Sequence, residues 1–132
     1  LPSDFGNLTR VSNTNSWDPF ISNFTATKST HLLIFGFQKG SSGFVFLDDV
    51  SVADVNSPAT ELLQNPSFQN STIIPPTGWT SWCRASCTGG VTEGGVIITS
   101  GCRGGSGGQC YQGACTTGYL LLGQEFSTTV GN

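Results

Sequence analysis

Thr30-His31-Leu32-Leu33-Ile34-Phe35-Gly36-Phe37 is followed by Lys39-Gly40-Ser41-Ser42-Gly43 and then by Phe44-Val45-Phe46-Leu47-Asp48-Asp49-Val50-Ser51-Val52. Two apolar runs of strand length, rich in aromatic and branched residues, are here separated by a Gly/Ser turn. A similar run, Phe20 to Thr27, precedes them across Lys28-Ser29. The three segments Phe20–Thr27, Thr30–Phe37 and Gly43–Val52 read as an antiparallel meander. Side chains alternate across a strand, so Phe44, Phe46, Asp48, Val50 and Val52 share one face, and His31 lies on the side of Leu33, Phe35 and Phe37. Asp48 then sits on the more apolar face, where it needs a hydrogen bond, a cation or a place beyond the core edge.

No helix is convincing in the rest of the chain. After a polar link around Asn56-Ser57-Pro58 come Glu61 to Gln64, the turn Asn65-Pro66, an irregular stretch through Trp79 and Trp82, and Cys-rich loops. Strands resume at Gly95–Thr99 and Tyr119–Val130. The expected class is all-β, with a disulfide-stapled, Gly/Ser-rich loop region.

With 132 residues the chain has material for one core. Charged residues make up 10% and the net charge is -3, with Arg10, Lys28, Lys39, Arg84 and Arg103 scattered. Nucleic acid and anionic membrane surfaces need concentrated positive charge, so neither is an expected partner. The longest apolar run, Leu32 to Phe37, falls far short of the roughly 20 residues that span a bilayer. Nothing reads as a signal peptide, so the numbering is expected to begin in a mature or excised chain.

Five cysteines, Cys83, Cys87, Cys102, Cys110 and Cys115, fall in one Gly-, Ser- and Thr-rich stretch. Their irregular spacing and the remoteness of His31, the single histidine, favour disulfides over zinc. The loops from Cys83 to Thr117 carry few large apolar residues and need covalent staples, which places the chain in an oxidising, extracellular compartment. Cys110 and Cys115 are the expected local pair, and the odd cysteine is free or joined to another chain. Asn7-Leu8-Thr9, Asn23-Phe24-Thr25 and Asn70-Ser71-Thr72 match the N-glycosylation pattern, whereas Pro66 excludes Asn65. With only two lysines, attached sugars would supply the hydration that charge otherwise gives.

Catalytic chemistry is sparse. His31 lies within a strand pattern and has no evident partner, so it reads as structural rather than as a general base. Glu61, Glu93, Glu125, Asp4, Asp18 and Asp54 are scattered, and Asp48 and Asp49 fall on opposite faces of one strand, which does not make a glycosidase pair. Gly104-Gly105-Ser106-Gly107-Gly108 lacks the strand, lysine and helix of a phosphate cradle. The expectation is a non-catalytic protein.

Leu62-Leu63-Gln64-Asn65-Pro66-Ser67-Phe68-Gln69 with Pro76-Thr77-Gly78-Trp79 resembles the opening of jelly-roll domains of the galactose-binding-like superfamily, which includes many carbohydrate-binding modules. Phe46-Leu47-Asp48-Asp49-Val50-Ser51-Val52 resembles their closing strand, and Leu122 to Asn132 and Phe20 to Phe37 resemble strands that lie between. The resemblance implies an antiparallel jelly-roll-like β-sandwich with its halves in inverted order. Residues 1–55 form a closing half, 56–60 a link, and 61–132 an opening half with the Cys-rich loops. Together they make one repeat unit. A circular permutation, a piece of a tandem array, or one repeat of a polymer would each give this order, and the latter two are favoured because both chain ends lie beside strands that need partners.

The resemblance also aligns Gln69 with an acidic calcium ligand and Asp48 or Asp49 with another. A structural calcium at Asp48, Asp49 and Gln69 is therefore a candidate, weakened by the neutral Gln69, and set against Asp48 simply capping backbone amides. Trp79 corresponds to a packed position, while Trp17, Trp82 and Tyr111 are candidate sugar-binding aromatics if exposed. Covalent N-linked glycans are the remaining non-protein component expected. The functional expectation is a structural module of a secreted, glycosylated fibre or surface coat whose partners are copies of itself. The alternative is a lectin-like carbohydrate-binding module whose partners are glycans.

Overall fold

The computed structural model describes residues 16–38, 43–70, 72–88, 95–103 and 108–132, and the side chains of 84–88 are left aside. Among the described residues there is no helix. The strands are β1 (Thr30–Phe37), β2 (Val45–Leu47), β3 (Ala53–Asp54), β4 (Ser57–Glu61), β5 (Thr80–Thr88), β6 (Val96–Ile98), β7 (Cys110–Gly113) and β8 (Thr117–Ser127). They form two three-stranded antiparallel sheets, ordered β1-β8-β5 and β2-β7-β6, and a β3-β4 ribbon.

The all-β expectation holds, and several boundaries move. Phe20–Thr27 is not a strand, although it runs without turn or bend. The apolar run supplies side chains for a strand, but only Ala26 meets a backbone partner, and a strand exists through its ladder. Gly43–Val52 contracts to β2, because Asp49 takes a positive φ of 50° and breaks the pleat. The segment through Trp82 predicted as irregular is instead the nine-residue β5, whose alternation is hidden by small polar residues. The predicted link carries β4, paired with β3 across the turn at Val55-Asn56. The turn at 39–42, Asn7 and most of the Gly104–Gly108 loop lie outside the described residues.

β8 is the central strand of the larger sheet and is covered on both faces. Leu120, Leu122, Gln124 and Phe126 alternate towards a core that also holds Phe37, Leu63, Phe68, Trp79, Ile97 and Tyr111. On the opposite face the Trp82 ring lies so close over Gly123 that a Cβ there would come 3.0 Å from Cη2, so a side chain at this position would press on the ring. The two sheets meet where the Phe37 ring of β1 packs 5.3 Å from that of Tyr111 of β7. Gly113 permits this, since a Cβ would fall 2.7 Å from Phe37 Cγ. Both halves of the sequence thus contribute to one core within one chain.

The segment between β4 and β5 packs as a corner held by polar contacts. Asn65 is buried with φ 47°, and its Nδ2 donates to Thr77 O at 3.1 Å. Trp79 Nε1 donates to Asn65 O at 3.1 Å, so the indole enters the core with its one donor satisfied. Gln124 imitates a strand neighbour: its Oε1 accepts from Gln64 N at 2.6 Å and its Nε2 donates to Gln64 O at 3.0 Å.

Glu61 closes the ribbon. Its Oε1 accepts from Val52 N and Leu63 N at 3.0 and 2.9 Å, and its Oε2 from Ser51 Oγ at 2.6 Å. Partial burial pushes its carboxyl up, but these hydrogen bonds outweigh that and hold it below the ordinary carboxylate value. A lowered folded-state pKa contributes stability above the unfolded value, and this contribution is lost as pH falls through the folded one. Because the group is exposed, Glu61→Gln is expected to cost less than about 1 kcal/mol at neutral pH. Urea midpoints of wild type and variant should differ at pH 7 and converge in acid. A gap that persists in acid would assign the loss to something other than the charge.

Candidate functional site: the open end of the larger sheet

Beyond the paired ends of β1 and β8, separate main-chain bonds tie the flanking segments together. Thr30 faces Ser127, Ser29 O then accepts from Thr128 N at 2.9 Å, and Ala26 O accepts from Gly131 N at 2.8 Å in the same register. Ala26 N donates to Asn132 O at 2.7 Å, and Thr128 Oγ1 donates to Lys28 O at 2.7 Å. Asn132 Nδ2 donates to Asp54 Oδ2 at 2.7 Å. Backbone donation from Asn56 and this amide bond hold the Asp54 carboxyl below its usual value. The last residues are thereby fastened to the β3-β4 ribbon.

Beyond Ala26 the apolar side chains are left open. Ile21 is 88% exposed, Phe24 54% and Phe20 51%, and Val55 and Val130 are exposed beside them. Phe24 faces inward all the same, with its ring 5.3 Å from His31 and 6.2 Å from Phe126 in edge-on contacts. His31 Nε2 accepts from Lys28 N at 3.4 Å, so the histidine packs and caps within this end. Asn23, Phe24, Thr25, Val55, Asn56, Gly131 and Asn132 line an open recess of about 500 Å³. Asn23, the central glycosylation candidate, is exposed on its rim, and Asn70 is exposed elsewhere.

The candidate aromatics separate. Tyr111 is fully buried, so it is not a sugar-binding ring. It sits among Phe37 and Phe68, and burial pushes its phenol well above the ordinary value, with the Cys83 thiol adding to this. Its place in the pleat of the central strand β7 puts its side chain inward, which composition could not reveal. Trp17 and Trp82 are 36% and 37% exposed. Trp17 lies 6.4 Å from the Phe46 ring near β2, while Trp82 covers Gly123 in the other sheet. Trp79 is buried, as its correspondence to a packed position implies.

The calcium candidates do not converge. Asp48 Oδ1 accepts from Asp49 N at 2.8 Å, the amide-capping alternative, and desolvation raises its carboxyl above the ordinary value. Asp49 Oδ2 instead meets Arg103 at 3.0 Å. Gln69 Nε2 donates to the carbonyls of Ser67 and Gln109, both at 2.9 Å. Among the described residues no three His, Cys, Asp or Glu side chains gather as a metal site, and Arg103 already supplies the positive charge at this corner.

Cys110 pairs with Cys102, not with Cys115, across a Cα separation of 5.6 Å. The β6-β7 hairpin places Ile98 opposite Cys110 and brings Cys102 back beside it, whereas Cys115 points into the core. Cys115 is also disulfide-bonded, and the Cys87 side chain lies outside the description. Cys83 is free and exposed on β5, opposite Leu120. Maleimide labelling of the folded chain is expected to modify one thiol, and Cys83→Ser to abolish the reaction. Labelling that survives this substitution would show a second accessible thiol.

No protein-family profile, curated protein or solved structure matches this chain.

Proposed function

We propose that this chain is a structural, non-catalytic module of a secreted, N-glycosylated fibre or surface coat built from repeated jelly-roll-like β-sandwich units. The observation that carries the reading is the open end: an apolar segment from Phe20 to Phe24, free of backbone partners, beside a recess at Gly131-Asn132. An unpaired edge beside exposed aromatics is a liability in an isolated soluble protein and an asset in one whose copies cover each other. The disulfides and sparse charge fit an extracellular setting. Electron microscopy of native material tests the reading. Continuous filaments or sheets with a regular repeat support it, and dispersed single particles overturn it.

The glycans belong to the same proposal. Asn23 and Asn70 carry exposed acceptor patterns, and Asn7 supplies a third outside the described residues. Intact mass of native-source material is expected to fall on enzymatic deglycosylation, with Asn23 and Asn70 converted to aspartate. An unchanged mass would remove this part of the reading. The lectin-like alternative is supported by the exposed Trp17–Phe46 pair, but Trp82 belongs to the other sheet and Tyr111 is buried, so no groove gathers the three candidate rings. Binding to immobilised glycans that Trp17→Ala abolishes would favour it.

A further inference from the structure

The face of the larger sheet that turns away from the core is built around two aromatic rings. Leu120, Leu122, Gln124 and Phe126 point inward, so Tyr119, Leu121, Gly123 and Glu125 point outward. Strand partners share a side, which puts Gly36 of β1 and Trp82 of β5 beside Leu121 on that outer face. Trp82 leans across β8, its Cη2 and Cζ3 lying 3.0 and 3.3 Å from where a Cβ on Gly123 would be. Tyr119 leans the other way, with Cδ1 3.5 Å from where a Cβ on Gly36 would be. Leu121 stands between them and is only 5% exposed, although it points outward. The rings therefore lie down on the sheet over glycine gaps rather than standing on edge, and Trp82 still exposes 37% of its surface.

Gly36 and Gly123 are one strand and two residues apart, about 8 Å on the sheet grid. A ligand that touches both rings is thus longer than one sugar. Polar groups are interleaved with the rings. Among the described residues, Trp82 Nε1, the Tyr119 and Thr80 hydroxyls and the Glu125 carboxylate have no hydrogen-bond partner. A second protein sheet laid here would bury these groups unsatisfied, at a cost for each. A pyranose ring instead has an apolar face that stacks on an indole or phenol and a rim of hydroxyls that both donate and accept. The Glu125 carboxylate repels an anionic glycan and leaves an uncharged one.

We propose that this face binds an extended, uncharged polysaccharide, with two of its sugar rings stacked on Trp82 and Tyr119 and a sugar hydroxyl donating to Glu125. The site lies on the other sheet from the Trp17–Phe46 pair. It goes beyond the assembly reading and does not depend on it: a module can hold polysaccharide whether or not its copies form a fibre.

Native electrophoresis through gels containing hydroxyethylcellulose, galactomannan or alginate tests the proposal. The chain is expected to be retarded by at least one of the two neutral polymers and not by anionic alginate. Trp82→Ala is expected to weaken binding at least about tenfold. Because that substitution also uncovers Leu121 and is expected to cost stability, Glu125→Ala supplies a second variant. Glu125 is exposed, so its removal is expected to leave the melting temperature unchanged and to weaken binding about threefold or more. Trp17→Ala is expected to bind as wild type does. No retardation by either neutral polymer, equal retardation by alginate, or binding indifferent to both Trp82→Ala and Glu125→Ala would overturn the proposal. Binding lost on Trp17→Ala and kept on Trp82→Ala would also overturn it, and would move sugar recognition to the Phe46 side. Self-association that Trp82→Ala removes, without retardation by polysaccharide, would overturn it in favour of a protein contact.

Discussion

Trp79→Ala is expected to remove about 4 kcal/mol of folding free energy, the range for truncating a buried tryptophan. The indole is 4% exposed, packs 5.4 Å from the Phe68 ring and 6.3 Å from that of Phe35, and donates to Asn65 O. Phe35 belongs to the first half of the sequence and Phe68 to the second, so the substitution opens a cavity where the halves meet. Single domains have about 5–15 kcal/mol in total, so the loss consumes roughly a third or more of it. Trp79→Phe separates ring from donor. It keeps much of the packing, and Asn65 O still accepts from Phe68 N at 3.2 Å, so about 1–1.5 kcal/mol is expected for the lost bond and volume. Guanidinium unfolding followed by far-ultraviolet circular dichroism measures both. A Trp79→Ala loss below about 1 kcal/mol would mean that the two halves do not share a core.

The all-β class was legible because Thr30–Phe37 and Tyr119–Val130 carry runs of apolar residues longer than any turn could use. Their observed counterparts, β1 and β8, proved to be partners. Phe20–Thr27 has the same composition but no ladder along most of its length, and an apolar pattern alone does not supply the backbone partner that a strand requires. β5 failed in the other direction. Thr80, Ser81 and Arg84 gave no apolar period, and the strand exists because β8, with Leu120 to Gly123, offers it a complete edge.

The candidate site was legible only in fragments. The acceptor pattern at Asn23 and the landmark at Val130-Gly131-Asn132 were both visible in the sequence, over a hundred positions apart. Nothing local predicted that Gly131 would bond to Ala26 or that Asn132 would reach Asp54, since such closure depends on tertiary register. The burial of Tyr111 was hidden for a related reason. Whether Tyr111 or Trp82 faces solvent depends on which neighbour occupies each side of the sheet, and Tyr111 lies in the central strand of β2-β7-β6. The cysteine pairing followed hairpin geometry rather than proximity in sequence, since the partner of Cys110 came from the facing strand's end.

That hairpin carries the second large effect. Joint replacement of Cys102 and Cys110 by alanine is expected to cost about 3 kcal/mol. A bridge across a sequence separation of 8 restricts the unfolded chain by about 2.5 kcal/mol in the loop-entropy account, and loss of two buried sulfurs adds to that. For a domain of this size the melting temperature is expected to fall on the order of 10 °C. The damage has a specific route into the core. Cys110 begins β7, and its neighbour Tyr111 is fully buried between Phe37 and Phe68. Gly95, at φ 83°, leaves no room for even a methyl group beside the Tyr111 ring, so a hairpin free to shift cannot repack there without displacing the ring. Amide exchange in β6 and β7 should therefore accelerate more than in the β1-β8 ladder, whose pairing the bridge does not touch. Cys83→Ser serves as the control and is expected to leave the melting temperature within about 2 °C of wild type. A double variant that melts with the control would show that the hairpin is held by Tyr111 packing alone. Uniform acceleration across both sheets would show instead that the bridge acts only through the unfolded chain, with no local part in seating β7.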